Sequence, residues 1–345
     1  MTKDIALIIG IDTYHNSEMS DLNGAVRDAE SIEKWLREHR PNIEIFRLSS
    51  DKDSVSLDNV KDEFLKIIKE CLKKDGHSYR RLIFYFSGHG YSDFYEDGHF
   101  MTQEGHLPTG VTKYEEFISA YSAKSLHDAF FHSHLFDEIL FIQDCCRVQY
   151  LEGRVTPMDL ESYLFQCDSK KINLQRSVFG FACTFGGEAK EIEDINGVDR
   201  GQFTLAIEHI IAKNSKNENF TTLDIKDGIK GLMPNQEPEF KEFKNHSLSL
   251  WNKRNTKRYR CRIEEKVLVK GKVKNFRIKR ANPQDASDLY VDFKDTIELH
   301  PLIYVVEFNL GKREYRGFID VSEKQIRFNT EISTMLEVYY DNSSI

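Results

Sequence analysis

Along the first 250 residues short apolar runs alternate with amphipathic stretches. The runs Ile5–Ile9, Ile43–Leu48, Arg81–Phe86, Glu138–Gln143, Ser177–Cys183 and Leu248–Trp251 are short enough, and rich enough in branched and aromatic residues, to be predicted as strands. The segments between them carry apolar residues at helical spacing and predict helices at Ala25–Arg37, Leu57–Lys73, Ser125–Leu135, Phe203–Ala212 and Leu223–Leu232. Val60, Phe64, Ile67 and Ile68, for example, share one helical face, which should be the buried one. Six strands with crossover helices predict an α/β fold: a mostly parallel six-stranded sheet flanked by helices, with reactive groups gathered beyond the carboxyl ends of the strands.

After Trp251 the period changes to two. Val267–Val269, Tyr290–Phe293, Ile303–Phe308, Tyr315–Val321 and Ile326–Phe328 alternate as half-buried antiparallel strands do, and Asn309-Leu-Gly-Lys312 is a turn between two of them. The expected organisation is therefore an α/β domain over 1–252 and a C-terminal β-rich domain over 253–345. A length of 345 residues suits two such units.

Charge reverses at the same boundary. The chain carries a net −8, yet Lys253 to Arg280 holds 13 basic and two acidic residues, so this stretch carries +11 and the rest −19. With 40% apolar and 30% charged residues the composition is that of a globular protein, not a disordered one. The longest apolar stretches fall short of the roughly 20 residues that cross a bilayer, and no secretory leader opens the chain, so no membrane role and a cytoplasmic location are expected. Six cysteines at 71, 145, 146, 167, 183 and 261 form no repeating framework and should be free thiols there. An adjacent pair among them calls for a chemical reason.

Two strand ends supply one. Arg81–Phe86 runs into Ser87-Gly-His-Gly90, a histidine on a glycine-flanked loop whose Gly90 amide is free to donate a hydrogen bond; Glu138–Gln143 runs into Asp144-Cys-Cys-Arg147. A thiol beside an imidazole, with backbone amides for an oxyanion, is what nucleophilic cysteine chemistry needs. Taken alone the residues leave either Cys145 or Cys146 as the nucleophile.

Together these segments resemble the caspase-like clan of cysteine peptidases, closest to its metacaspase-like bacterial branch. The similarity runs in order over about residues 5 to 250. Ala6-Leu-Ile-Ile-Gly-Ile-Asp12 resembles the first strand, and Leu22-Asn-Gly-Ala-Val-Arg-Asp-Ala29 the following loop and helix start. Ser87–Gly90 and Asp144–Arg147 match the dyad segments, and Gly201-Gln-Phe-Thr204 and Asn235-Gln-Glu-Pro238 match later ones. The bacterial register of Asp, small residue, Cys, Arg selects Cys146, with Cys145 turned to the other face of the strand. The resemblance implies a cysteine endopeptidase with a His89/Cys146 dyad, the Gly90 and Cys146 amides as oxyanion hole, and no cofactor for catalysis. Asp28, Ser87 and Asp144 match the pocket for a basic side chain, which implies cleavage after Arg, with Lys as second choice. Two features depart from the pattern: Cys146-Arg147-Val148-Gln149 lacks the His-Ser-Gly that usually follows in metacaspases, and Phe185 stands roughly where a further acid is expected. Calcium, which activates many metacaspases, is not expected: Asp93, Glu96 and Asp97 are a thin cluster, and Gly153 falls where a carboxylate would lie.

Protein substrates are the implied partners. Bacterial relatives with an extra C-terminal domain resemble antiphage or cell-death effectors, which makes 253–345 a candidate sensor for a nucleotide second messenger or a regulatory protein. The loop from Leu151 to Gln175, with Arg154, Lys170, Lys171 and the following Arg176, is a candidate for cutting in cis or trans. Competing readings are a non-catalytic scaffold of the same fold and a nucleic-acid-binding adaptor using 253–280. That basic stretch also reads simply as the solvated face of edge strands. Cys71 and Cys183 should be core thiols. His127, His132 and His134 read as a solvated helix face and not a metal site.

Overall fold

The computed structural model describes residues 2–16, 19–40, 42–72, 78–92, 98–105, 117–133, 135–149, 154–155, 176–215, 220–233, 235–243, 248, 259–265, 273–280, 296–299, 303–310, 312–321, 326–328 and 335–340. Its centre is a sheet of six strands: β1 (Thr2–Gly10), β2 (Ile43–Ser49), β3 (Ser78–Ser87), β4 (Glu138–Asp144), β5 (Arg176–Phe181) and β6 (Glu239–Phe243), in the order β6-β5-β4-β3-β1-β2. The first five run parallel, and β6 is antiparallel to β5. Helices α1 (Ala25–His39), α2 (Leu57–Leu72), α3 (Ala123–Ser133), α4 (Gln202–Lys213) and α5 (Thr222–Ile229) cover it.

Alternation along the strands sorts these helices between the faces. Ile5, Leu7, Ile9, Phe84 and Phe141 pack with Val60, Phe64 and Ile67 of α2 and Phe130 of α3. Ala6, Ile8, Tyr85 and Ile142 pack with Ile32 of α1, Ile207 of α4 and Ile225 of α5. Strands buried on both faces are what make the near-continuous apolar runs of the sequence.

Three expectations are corrected. The sixth strand is Glu239–Phe243, not Leu248–Trp251: Leu248 is buried and exchanges hydrogen bonds with Thr222 at the start of α5, whereas 249–251 lie outside the described residues. His127 is not on a solvated face; it is fully buried against Phe131, Phe141 and Phe179, with Nδ1 2.9 Å from Asp128. Arg176 is no cleavage point, because it is buried at the start of β5 and paired with Glu138 at 3.0 Å. Cys71, Cys145 and Cys183 are buried as expected.

Beyond residue 258 the described strands form two antiparallel sheets. One has three strands, with Tyr259–Glu265 between Thr296–Leu299 and Leu336–Tyr340; the other has four, Val273–Arg280, Ile303–Leu310, Arg313–Val321 and Ile326–Phe328. Leu310 pairs with Arg313, which places the predicted turn between them. Val273–Arg280 is an edge strand that buries Phe276 and Ile278 and exposes Lys274 and Arg277, so this part of the basic stretch does form a solvated edge. Val267–Val269 and Tyr290–Phe293 lie outside the described residues. Among those described, no helix is long and apolar enough to cross a membrane.

Candidate active site

β3 and β4 are adjacent and in register, with Ser87 opposite Asp144 and, on its other side, opposite Gly10 of β1. His89 lies two residues past Ser87 and Cys146 two residues past Asp144, so the two segments leave the sheet side by side. The strand order reverses between β1 and β3, so the two segments emerge one strand along from the switch point near which open α/β sheets place their ligands. The Gly88 amide donates to the Asp144 carbonyl at 3.3 Å and keeps the two segments together.

The histidine loop is held on several sides. Its His89 amide donates to the Tyr14 hydroxyl at 2.7 Å, its carbonyl accepts from the Met101 amide, and the Tyr14 and His89 rings lie 4.7 Å apart. Nε2 of His89 is 2.7 Å from the Ser20 carbonyl oxygen. A carbonyl can only accept, so Nε2 carries a proton and the neutral ring leaves Nδ1 as its base. Gly88 has φ +156 and a side chain there would collide with the Tyr14 hydroxyl and Phe86. Gly90 is needed for packing: a Cβ would sit 2.5 Å from Cys145 Sγ and 2.8 Å from the His99 carbonyl oxygen.

The two cysteines separate. Cys145 packs into the core, whereas Cys146 is partly exposed and its Sγ accepts from the Ala189 amide at 3.3 Å. Burial pushes the Cys146 thiol above its ordinary value; the Ala189 amide opposes this, and Glu188 and Asp144 add to it. The resting group is therefore a thiol at neutral pH. Alkylation by iodoacetamide, followed by mass spectrometry of the Cys146 peptide, is expected to be slow at pH 7 and to accelerate only above about pH 9. A rate already at its plateau below pH 7 would show instead a resting thiolate.

Arg147 anchors the segment from below. It is fully buried, pairs with Glu239 of β6, donates to the Cys183 carbonyl and stacks over the Phe181 ring at 4.2 Å. Its backbone also exchanges hydrogen bonds with Gly186 and Gly187. Gln236 holds the same loop further on, accepting from the Lys190 amide and donating to the Ala182 carbonyl. The segment Asn235–Pro238 thus keeps the backbone beside Cys146 in place.

Asp28, Ser87 and Asp144 are brought together, and all three are buried. Asp28 accepts from Ser87 Oγ (3.2 Å), from the Gly201 amide (2.9 Å) and from Arg200 Nε (2.5 Å). Asp144 accepts from the Thr204 amide (3.0 Å) and hydroxyl (2.7 Å), placing its carboxylate at the N-terminus of α4. Burial raises both carboxyls above their ordinary values. Asp144 reinforces the effect on Asp28, with Arg200 opposing it, and the Thr204 hydrogen bonds oppose the effect on Asp144. Tyr14, Ser20, Ala189, Arg200 and Glu239 were not singled out in the sequence. Arg200 adjoins the Gly201–Thr204 segment and Glu239 the Asn235–Pro238 segment, and those adjacencies were the signals available; the others act through backbone groups or long-range contacts. Asp93, Glu96, Asp97 and Gly153 lie outside the described residues, and among those described no cluster of three or more metal-ligating side chains occurs.

A profile of the caspase domain matches residues 3–249. The chain therefore belongs to the caspase-domain family of cysteine peptidases. In a curated comparison it is 28% identical over 213 residues to a "probable protease" from a Desulfuromonadales bacterium, a match covering 59% of this chain and 25% of that protein. The chain thus spans about a quarter of that relative's length. Among solved structures it is similar to a Geobacter sulfurreducens protein (16% identity, 70% of this chain and 93% of that one, TM-score 0.45) and to caspase-1 from Spodoptera frugiperda (11%, 72% and 88%, TM-score 0.47).

Proposed function

We propose that this chain is a cysteine endopeptidase that cleaves proteins after basic residues, Arg before Lys, through a His89/Cys146 dyad. The observation that carries the reading is the placement of His89 and Cys146 at matching positions beyond adjacent strands, with His89 Nε2 committed to the Ser20 carbonyl. Nδ1 then takes the Cys146 proton as sulfur attacks the peptide carbonyl. The Gly90 and Cys146 amides stabilise the oxyanion, the amine leaves with the proton from His89, and water hydrolyses the thioester with His89 as base. No cofactor enters these steps. Asp28, Ser87 and Asp144 receive the basic side chain. The region 253–345 serves as the sensor of a nucleotide or partner protein that releases the activity, as in a defence or cell-death effector acting in the cytoplasm.

Paired fluorogenic peptides ending in Arg or Asp test this, with and without nucleotide extracts. Hydrolysis after Arg at least tenfold faster than after Asp, reduced at least tenfold in Asp28→Asn, is expected; a preference for Asp would overturn the pocket assignment. Acceleration by the extracts would support the sensor reading, and an equal rate without them would count against it.

A further inference from the structure

The carboxylates assigned to a basic substrate side chain already hold one. Arg200 is about nine-tenths buried, its Nε lies 2.5 Å from Asp28, and its other end pairs with Glu208 of α4 at 2.7 Å. It belongs to the strand Asp199–Gly201, which among the described residues pairs with Glu191–Glu193 in a two-stranded ribbon separate from the central sheet. Such a ribbon is at best marginally stable alone. This one is tethered by its side chains: Glu191 accepts from the Asn23 and Gly24 amides just before α1, and Arg200 reaches Asp28 within α1. Its tip carries the fully exposed Ile195.

The ribbon lies over the site in two further ways. The backbone of Gly201 covers both carboxylates so closely that a Cβ there would be 2.2 Å from Asp144 Oδ2 and 2.7 Å from Asp28 Oδ2. The chain entering the ribbon carries Ala189, whose amide lies 3.3 Å from Cys146 Sγ. One segment, 189–201, therefore touches the nucleophile through the Ala189 backbone and fills the acidic pocket through Arg200 and Gly201.

The geometry points to Arg200 as a resident ligand of the acidic pocket, a guanidinium that a substrate's basic side chain must displace from Asp28 and that thereby sets both specificity and latency. This inference rests on the proposed reading of Asp28 as the substrate's counter-ion. Displacement exchanges one Arg–carboxylate pair for another, so its cost is small for a guanidinium and large for a neutral or acidic side chain, which would leave Asp28 buried without its cation. Glu208 remains to hold Arg200 once it has moved aside.

The test uses the full chain with Arg200→Gln, Arg200→Lys and Glu208→Gln, each checked for an unchanged melting transition. KM for an Arg-ending peptide is expected to fall about tenfold in Arg200→Gln with kcat within threefold, to return towards the parent value in Arg200→Lys, and to fall by less in Glu208→Gln, which loosens Arg200 without removing it. Titration with agmatine on the Cys146→Ala background reads the pocket independently of catalysis, with binding about tenfold tighter when Arg200 is Gln. If Arg200→Gln misfolds, the Glu208→Gln measurements decide. Hydrolysis after Arg with unchanged KM and unchanged agmatine affinity would overturn the inference while leaving the peptidase reading intact. Hydrolysis after no residue, with agmatine bound more tightly once Arg200 is replaced, would instead sink the peptidase reading and keep the resident ligand.

Discussion

Replacing Cys146 by alanine is expected to lower peptide hydrolysis by on the order of 10⁶-fold, the scale on which a covalent mechanism collapses when its nucleophile is lost. In free-energy terms this is about 8 kcal/mol of transition-state stabilisation. Folding should barely change, because Cys146 is partly exposed and its sulfur meets mainly the Ala189 backbone. Cys145→Ala should do the reverse. That thiol is buried against Gly90, so its loss leaves a small void and costs about 1 kcal/mol of stability, with kcat retained. Steady-state kinetics and urea unfolding of the two variants separate the neighbouring cysteines. An active Cys146→Ala beside an inactive Cys145→Ala would show that the nucleophile had been placed one residue out of register.

Glu138→Gln should produce the largest loss of stability. Glu138 opens β4 in a buried cluster, where it accepts from Arg81 Nε at 2.7 Å and from Arg176 at 3.0 Å, while Asp4 pairs with Arg40 and, at 3.4 Å, with Arg80. A neutral amide leaves buried guanidinium groups without their counter-charge, a change that costs about 3–5 kcal/mol. Its pH dependence has a definite sign. Burial raises the Glu138 carboxyl, but Arg81, Arg176 and Arg80 outweigh burial and hold it well below its ordinary value of 4.5. The stabilisation from its charge is thus fully present above about pH 4.5 and is lost as pH falls towards the depressed value in the folded state. Urea unfolding should show a gap between parent and variant that is widest near pH 7 and narrower at pH 3. A gap that stayed constant with pH would mean that the charge of Glu138 contributes nothing and that its shape alone matters.

Much of the fold could be read from the chain because its determinants are local. The periods of two and 3.6 residues located five of the six central strands and the five described helices of the α/β region to within a few residues, since each buried stripe appears directly in the sequence. The sixth strand was misplaced because Glu239–Phe243 is polar and pairs at the sheet's antiparallel edge, whereas the apolar Leu248 is buried and bonded to Thr222 at the start of α5. His127 misled for a related reason: three nearby histidines looked like a polar face, but stacking on Phe131 and edge or tilted contacts with Phe141 and Phe179 accommodate the ring inside the core.

The same division holds for the candidate site. The strand-end motifs around His89 and Cys146 are short contiguous signals visible in the chain, and the family resemblance marked Asp28, Ser87 and Asp144 beside them. Only the tertiary structure decided that the Ser20 carbonyl orients His89, that Gly90 is a glycine because Cys145 packs against it, and that Arg200 occupies Asp28 across 172 residues of chain. Backbone carbonyls have no sequence signature, and a salt bridge between distant residues is specified by the sheet that brings their elements together, not by any pattern along the chain.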